Sequence, residues 1–79
     1  MTIVEKLKKM LQEKAPTVEL STITMETDIK SLGIDSLDFV ELIYQIETDF
    51  DIEVPAEALS EINTVQNLVD IVEQNIVRV

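Results

Sequence analysis

The sequence predicts an all-α protein, a small four-helix bundle with three long helices and one short helix. Three stretches of the 79 residues repeat apolar residues at three- and four-residue steps, the spacing that places them on one helix face. Only one glycine and two prolines occur, and each falls where a helix is expected to begin or end. Because no such helix can bury its apolar face alone, we expect the helices to pack together.

The first helix is predicted to begin at Thr2 and to end near Lys14 or Ala15. Thr2 and Glu5, three residues apart, form a capping-box pattern at its start. Pro16 ends it, because a proline disfavours helical backbone angles in the residue before it. We interpret this helix as structural. Its apolar stripe consists of Ile3, Val4, Leu7, Met10 and Leu11.

Residues 16–34 are predicted to form a long loop between the first two long helices. Its apolar residues partly alternate with polar ones, which is a weak strand signal, but a lone strand would have no partner. We therefore expect the loop to lie across the helices, with its apolar residues facing them. Within it, Asp28 to Leu32 is predicted to form one helical turn that Gly33 terminates.

The second helix is predicted to run from Ser36 to Phe50. Asp35 or Ser36 occupies the N-cap position. Asp38 and Glu41 place negative charge in the first turns, where the helix dipole favours it. We expect the Ser36 hydroxyl to be exposed at the start of this helix. The predicted buried stripe consists of Leu37, Val40, Leu42, Ile43, Ile46 and Phe50.

Two further helices complete the predicted bundle. Pro55 suits the first position of a short helix that ends between residues 59 and 62. Asn63 or Thr64 is expected to cap the last helix, and Gln66 would close a capping box with Asn63. The buried stripe of this last helix is predicted to consist of Val65, Leu68, Val69, Val72 and Ile76.

The net charge of −10 is unevenly distributed along the chain. Residues 1–30 hold five lysines and five carboxylates, whereas eleven carboxylates follow Lys30 with Arg78 as the single cation among them. Such a field repels nucleic acid and anionic membranes and attracts basic protein surfaces. We therefore expect no nucleic acid or membrane partner, and we interpret the acidic segment as a docking surface rather than only a solubilising face.

Several kinds of chemistry are excluded by the residues that are missing. A nucleophilic serine needs a base, usually histidine, and the chain has none, so we do not expect an enzyme. The chain also lacks cysteine, and the carboxylates that follow the second helix have the wrong spacing for a calcium loop, so no resident metal is expected. Without an apolar run of membrane-spanning length or a signal-peptide layout, the sequence predicts a soluble, cytoplasmic protein.

The segment at 33–42, Gly-Ile-Asp-Ser-Leu-Asp-Phe-Val-Glu-Leu, is the most specific motif in the chain. Together with Glu47 and the following Phe-Asp-Ile-Glu-Val-Pro at 50–55, it resembles the acyl carrier proteins of the freestanding bacterial type. The predicted first helix, the long loop and a Thr-Val-x-x-Leu-Val segment at 64–69 occur in the same order as in that family. The resemblance therefore covers essentially the entire chain, and we treat residues 1–79 as a single carrier domain.

The resemblance implies a four-helix fold and a covalent prosthetic group. In that family the serine of Asp-Ser-Leu, here Ser36, is esterified to 4'-phosphopantetheine from coenzyme A, whose terminal thiol carries acyl groups as thioesters. Asp35 and Leu37 flank Ser36 and are the other expected cofactor-binding residues. Because Asp35 lies beside the incoming phosphate, it is also a candidate for holding a metal ion during attachment.

The resemblance also implies partners. These are a phosphopantetheinyl transferase and the acyl-processing enzymes of fatty acid or polyketide synthesis. We expect their basic surfaces to meet Asp38, Glu41 and Glu47 on the second helix of a monomeric carrier.

Two alternatives stay open at the level of the sequence. Peptidyl or aminoacyl carriers of nonribosomal synthesis usually show Gly-Gly-x-Ser, where this chain has Gly-Ile-Asp-Ser. An acidic helical interaction domain without a prosthetic group is the second alternative.

The second helix also bears on the pathway. Carriers of the main fatty acid pathway commonly have Met, Ala and Glu where this chain has Tyr44, Gln45 and Thr48, and a smaller residue at Phe39. These differences favour a dedicated carrier of a polyketide or modified acyl group, with lineage drift as the competing explanation.

Overall fold

Four α-helices and two short 3₁₀ helices follow one another along the chain, and the computed structural model describes residues 2–76. The α-helices are α1 at Ile3–Lys14, α2 at Ser36–Phe50, α3 at Ala56–Leu59 and α4 at Val65–Asn75. The 3₁₀ helices, at Leu20–Thr22 and Ile29–Leu32, both lie in the loop between α1 and α2. The predicted bundle of three long helices and one short helix is therefore confirmed.

The core forms where α1 packs against α2 and α4. It consists entirely of apolar side chains, and no polar or charged side chain is buried within residues 2–76. Full burial of one aliphatic side chain stabilises the fold by about 1.5–3 kcal/mol, so this core is the main source of stability. Its completely or almost completely buried members are Leu7, Leu11, Ile23, Leu42, Ile46, Val65, Leu68 and Val72.

The ends of α1 lie where the sequence predicts them. Thr2 is the N-cap, and its Oγ1 accepts a hydrogen bond of 3.2 Å from the Glu5 N–H. The Glu5 carboxylate accepts from the Thr2 hydroxyl at 3.3 Å, so the predicted capping box is only half formed. The helix ends at Lys14, and Ala15 is its C-cap directly before Pro16.

The long loop is joined to the start of α4 by backbone hydrogen bonds. The Val65 N–H donates to the Thr27 carbonyl at 3.0 Å, and the Gln66 N–H donates to the Met25 carbonyl at 2.9 Å. Asp28 and Thr64 form an isolated antiparallel bridge at the same place. Because Ile23 and Ile29 are buried in the core, the prediction of a loop laid across the helices is confirmed. The backbone pairing with α4 was not predicted.

The predicted helical turn before Gly33 is also confirmed. The Asp28 carboxylate accepts from the Lys30 N–H at 2.9 Å at the start of the 3₁₀ helix. Gly33 ends this helix with φ of 81°, in the left-handed region that favours glycine. The chain then enters α2 three residues later.

The predicted bounds of α2 are confirmed, but part of its predicted buried stripe is wrong. Leu37 is 70% exposed and Val40 is 38% exposed. The buried face is instead formed by Leu42, Ile43 and Ile46, with Phe39 and Phe50 partly buried beside them. Both sets of residues have the three- and four-residue spacing of a helix face. The spacing alone therefore does not reveal which of the two apolar faces meets the core.

The starts of the last two helices differ from the prediction by small shifts. Pro55 is the N-cap of α3 rather than its first helical residue. Thr64 caps α4, and the box is closed by Asn67, so the prediction that Gln66 closes it from Asn63 is wrong. A capping box joins the N-cap to the third helical residue, which for Thr64 is Asn67.

Two features of the surface bear on the function. Within residues 2–76 there is one salt bridge, between Lys14 and Glu41, so most of the carboxylates face solvent without a cation beside them. No helix in the same range is both long enough and apolar enough to cross a membrane.

We predict that Gly33→Ala destabilises the protein by about 1–2 kcal/mol, the cost of holding a residue with a Cβ atom in the left-handed region. A Cβ atom at this position would meet nothing within 4 Å, so the cost is one of backbone strain alone. Gly33→Asn should cost less, because asparagine tolerates this region better. Urea unfolding of both variants measures the difference, and equal midpoints for Gly33→Ala and the parent would contradict the strain.

We also predict that the apo-protein is stabilised by salt and by millimolar divalent cations. Eleven carboxylates in residues 31–79 repel one another in the folded state, and salt screens that repulsion. Each kcal/mol of repulsion relieved should raise Tm by about 4–8 °C. Thermal unfolding across a salt series tests this. A constant Tm would show that the carboxylates are too far apart to destabilise the folded state.

Candidate functional site

Ser36 is the first residue of α2, and its side chain is exposed. The capping role falls on its neighbour, because Oδ1 of Asp35 accepts a 2.8 Å hydrogen bond from the Asp38 N–H. The sequence left Asp35 and Ser36 as alternative caps, and the structure selects Asp35. The Ser36 hydroxyl is therefore not needed to complete the helix.

The segment before Ser36 holds the hydroxyl in place. Gly33 turns the chain, and Ile34 is buried at 8% exposure. Asp35 then adopts extended backbone angles before the helix begins. Ile34 anchors the chain to the core two residues before Ser36, and Ser36 is itself the first residue of α2. The backbone is therefore held in place on both sides of the serine.

The start of α2 offers unpaired backbone donors to an anion. The first intrahelical bond joins the Phe39 N–H to the Asp35 carbonyl at 2.9 Å. The N–H groups of Ser36 and Leu37 precede it, among the four that a helix leaves without an internal partner. Such N–H groups and the helix dipole favour a phosphate, so the residues present here fit a phosphoester at Ser36.

The carboxylates around Ser36 act against that phosphate. Asp35 and Asp38 both lie within three residues of the hydroxyl, and Asp35 already uses one oxygen as the helix cap. No group of three or more metal-ligating side chains occurs within residues 2–76.

The other predicted site residues lie at different places on α2. Leu37 is exposed beside Ser36, and Glu41 lies one turn further on at 57% side-chain exposure. Five residues of helix place Glu41 about 7.5 Å from Ser36 along the axis. Asp38 is half-buried, at the edge of the side of α2 that carries Leu37 and Glu41.

Glu47 has a structural contact of its own. Its Oε2 accepts a 2.9 Å hydrogen bond from the Val54 N–H, and its side chain is half-buried. This bond ties α2 to the segment that leads into α3. Glu47 lies about 16 Å from Ser36 along the helix axis, so the structure does not bring it together with the other predicted docking residues.

An exposed apolar stripe on α2 is the feature that sequence reasoning missed. Leu37, Val40 and Tyr44 are the exposed large apolar residues of the described chain, with Tyr44 at 65% exposure. Their spacing of three, four and seven residues places them on one face with Glu41. The same spacing is visible in the sequence, but the sequence alone predicts that Leu37 and Val40 are buried.

The arrangement thus defines a small helical domain with an exposed serine at a helix start, beside an apolar and acidic face. A family model described as "Phosphopantetheine attachment site" matches residues 5–72. A crystal structure of an acyl carrier protein from Thermotoga maritima matches with a TM-score of 0.76 and 32% sequence identity. That match covers 91% of this chain and 84% of the Thermotoga chain.

The chain belongs to the acyl carrier protein family of phosphopantetheine-binding domains. Its prosthetic group is a covalently attached 4'-phosphopantetheine. A carrier of this type interacts with a phosphopantetheinyl transferase and with acyl-processing enzymes.

We predict that Glu47→Ala destabilises the protein by about 1 kcal/mol, since it removes the acceptor of the Val54 N–H. Glu47→Gln keeps an oxygen at that position and should cost less. Chemical unfolding of the two variants compares them. Equal losses of unfolding free energy would mean that the charge of Glu47, rather than its hydrogen bond, stabilises the segment between α2 and α3.

Proposed function

We propose that this chain carries acyl groups on a 4'-phosphopantetheine attached through Ser36. The observation that carries the proposal is the division of roles at the start of α2: Asp35 caps the helix, and the neighbouring Ser36 hydroxyl stays exposed. A serine that merely capped the helix would turn its oxygen toward the backbone of the first turn. The family match, which spans this segment, supports the same assignment.

The attachment needs little from the chain itself. Transfer from coenzyme A forms a bond between Ser36 Oγ and phosphorus and breaks the diphosphate bond, which releases adenosine 3',5'-bisphosphate. The hydroxyl proton leaves to a base, and the chain has no histidine to serve as one. We therefore propose that the transferase supplies the base and that the chain has no enzymatic activity of its own.

The exposed face of α2 is our proposed docking surface for partner enzymes. It consists of Leu37, Val40, Glu41 and Tyr44, with Asp38 at its flank and Glu47 further along the helix. The net charge of −10 supports partners with basic surfaces. Because exposed ion pairs contribute roughly 0–1 kcal/mol each, we expect modest, salt-dependent affinities and a larger share from the apolar residues.

We further propose that residues 1–79 form one monomeric carrier domain in the cytoplasm. We also propose that this carrier serves a dedicated pathway, for which α2 provides the argument. Tyr44 is exposed, and the Thr48 hydroxyl donates to the Tyr44 carbonyl at 3.0 Å instead of presenting a charge. Phe39 is partly buried against the core. An outward Tyr44 and a neutral Thr48 support partners with apolar contacts, as expected of enzymes for a polyketide or modified acyl group rather than main-pathway fatty acid synthesis.

We predict that a broad-specificity phosphopantetheinyl transferase and coenzyme A add one phosphopantetheine arm to the apo-protein and none to Ser36→Ala. Ser31→Ala is the matched control, because Ser31 is exposed five residues earlier and its hydroxyl donates to the Asp28 carbonyl. Intact mass reports the gain directly. Labelling of Ser36→Ala at the parent's rate would overturn the assignment, and loss of labelling in Ser31→Ala would point to misfolding of the loop.

The proposal of a dedicated pathway predicts slow use by fatty acid synthesis enzymes. Malonyl loading and elongation of the holo-protein should be well below those of a main-pathway carrier tested with the same enzymes. Thr48→Glu should restore part of the difference by adding a carboxylate, whereas Thr22→Glu adds the same charge in the loop and should not. Equal rates for the two parent carriers would rule out the dedicated role.

A further inference from the structure

Lys14 joins the last turn of α1 to the proposed docking face on α2. Its Nζ lies 3.2 Å from Oε2 of Glu41. The Lys14 side chain is only 16% exposed, whereas that of Glu41 is 57% exposed. The pair thus has one partly shielded member and one that faces solvent, 27 residues apart in the sequence.

The position of Lys14 is set by the fold rather than by its own flexibility. Lys14 is the last residue of α1, where the helix dipole favours a cation, and α1 packs against α2. The next residues, Ala15 and Pro16, end the helix, and Ala15 is buried. The Lys14 side chain is therefore largely shielded from solvent, and its ammonium group lies beside the Glu41 carboxylate.

The other lysines of α1 lie elsewhere. Lys6 lies over the Phe50 ring, with 5.1 Å from its Nζ to the ring centre. Lys8 and Lys9 border a surface groove together with Glu5 and Leu20. Among the described lysines of α1, Lys14 is thus the one paired with the face that carries Leu37, Glu41 and Tyr44.

We propose that Lys14 is a built-in counter-ion that sets the specificity of the docking face, because a partner's cation must share Glu41 with it. This inference rests on the proposed docking role of α2. Lys14 occupies one carboxylate oxygen and repels a second cation brought close to Glu41. A partner that approaches only with lysine or arginine is therefore penalised at this position.

A competing effect is that Lys14 orders Glu41 in advance and so favours binding. Glu41 remains more than half exposed in the pair, so its ordering is slight and the gain from it small. The repulsion between Lys14 and a second cation at the same carboxylate acts over a few ångströms and reduces the attraction that Glu41 alone would offer. Repulsion is therefore expected to dominate, and Lys14 weakens the docking of cationic groups.

The repulsion between Lys14 and a partner's cation determines which kind of partner fits the proposed docking face. With the charge of Glu41 partly neutralised, the neighbouring Leu37 and Tyr44 carry a larger share of the contact. The face therefore fits an enzyme surface with an apolar pocket for these side chains and a basic rim, better than a uniformly basic surface.

The test measures KM and kcat of a broad-specificity phosphopantetheinyl transferase for the apo-carrier at several salt concentrations. Lys14→Gln should lower KM about two- to fivefold at low salt, with kcat unchanged, and the difference should vanish near 0.5 M salt. Lys14→Arg keeps the charge and should behave as the parent. Lys9→Gln changes the net charge equally on the opposite part of α1 and corrects for long-range attraction.

A double-mutant cycle isolates the contact. Glu41→Gln should raise KM, and in that background Lys14→Gln should have no more effect than Lys9→Gln. A KM for Lys14→Gln at or above the parent's, or one for Glu41→Gln equal to the parent's, would overturn the inference. Failure of the carrier function itself is distinguishable, because it would abolish labelling of the parent at Ser36. Thermal unfolding of each variant separates these effects from loss of the fold.

Discussion

The backbone pairing between the long loop and the start of α4 is the constraint on which the rest of the structure depends. Two N–H groups at the start of α4 donate to the carbonyls of Thr27 and Met25, so the loop adds to the cap that Thr64 provides. Ile23 and Ile29 of the same loop are buried in the core. Helix starts leave N–H groups that need such partners. With the loop fixed here, the following 3₁₀ helix, Gly33 and the start of α2 have a defined position.

The site at the start of α2 follows from that position. Asp35 caps the first turn of the helix through the Asp38 N–H, which leaves Ser36 with an exposed side chain at the first residue of α2. A carrier needs this combination, because its attachment serine must be reached by one enzyme and presented to several others. The same helix buries one apolar face in the core and shows the other to solvent. One side of α2 thus contributes to the core, and the other side is the proposed docking surface.

The proposed docking surface has a different balance of charge and apolar area from the one that the composition suggests. The carboxylates after residue 30 indicate an acidic docking surface, yet in the structure Glu41 is paired with Lys14 and Glu47 accepts a hydrogen bond from Val54. Two of the three predicted docking carboxylates therefore have partners inside the molecule. A long-range attraction for basic proteins would persist because it depends on net charge, but we propose that the close contacts are made mainly by Leu37, Val40 and Tyr44.

The sequence by itself determined the helices, the ends of α1 and α2 and the motif at Ser36, because capping residues, a single glycine and prolines act through local backbone geometry. It did not determine which apolar face of α2 is buried, since Leu37 and Val40 share the spacing of Leu42, Ile43 and Ile46. Only the packing of α1 against α2 decided that. Tertiary structure alone also paired Lys14 with Glu41 and the loop with α4, because contacts between residues far apart in sequence leave no periodic signal along the chain.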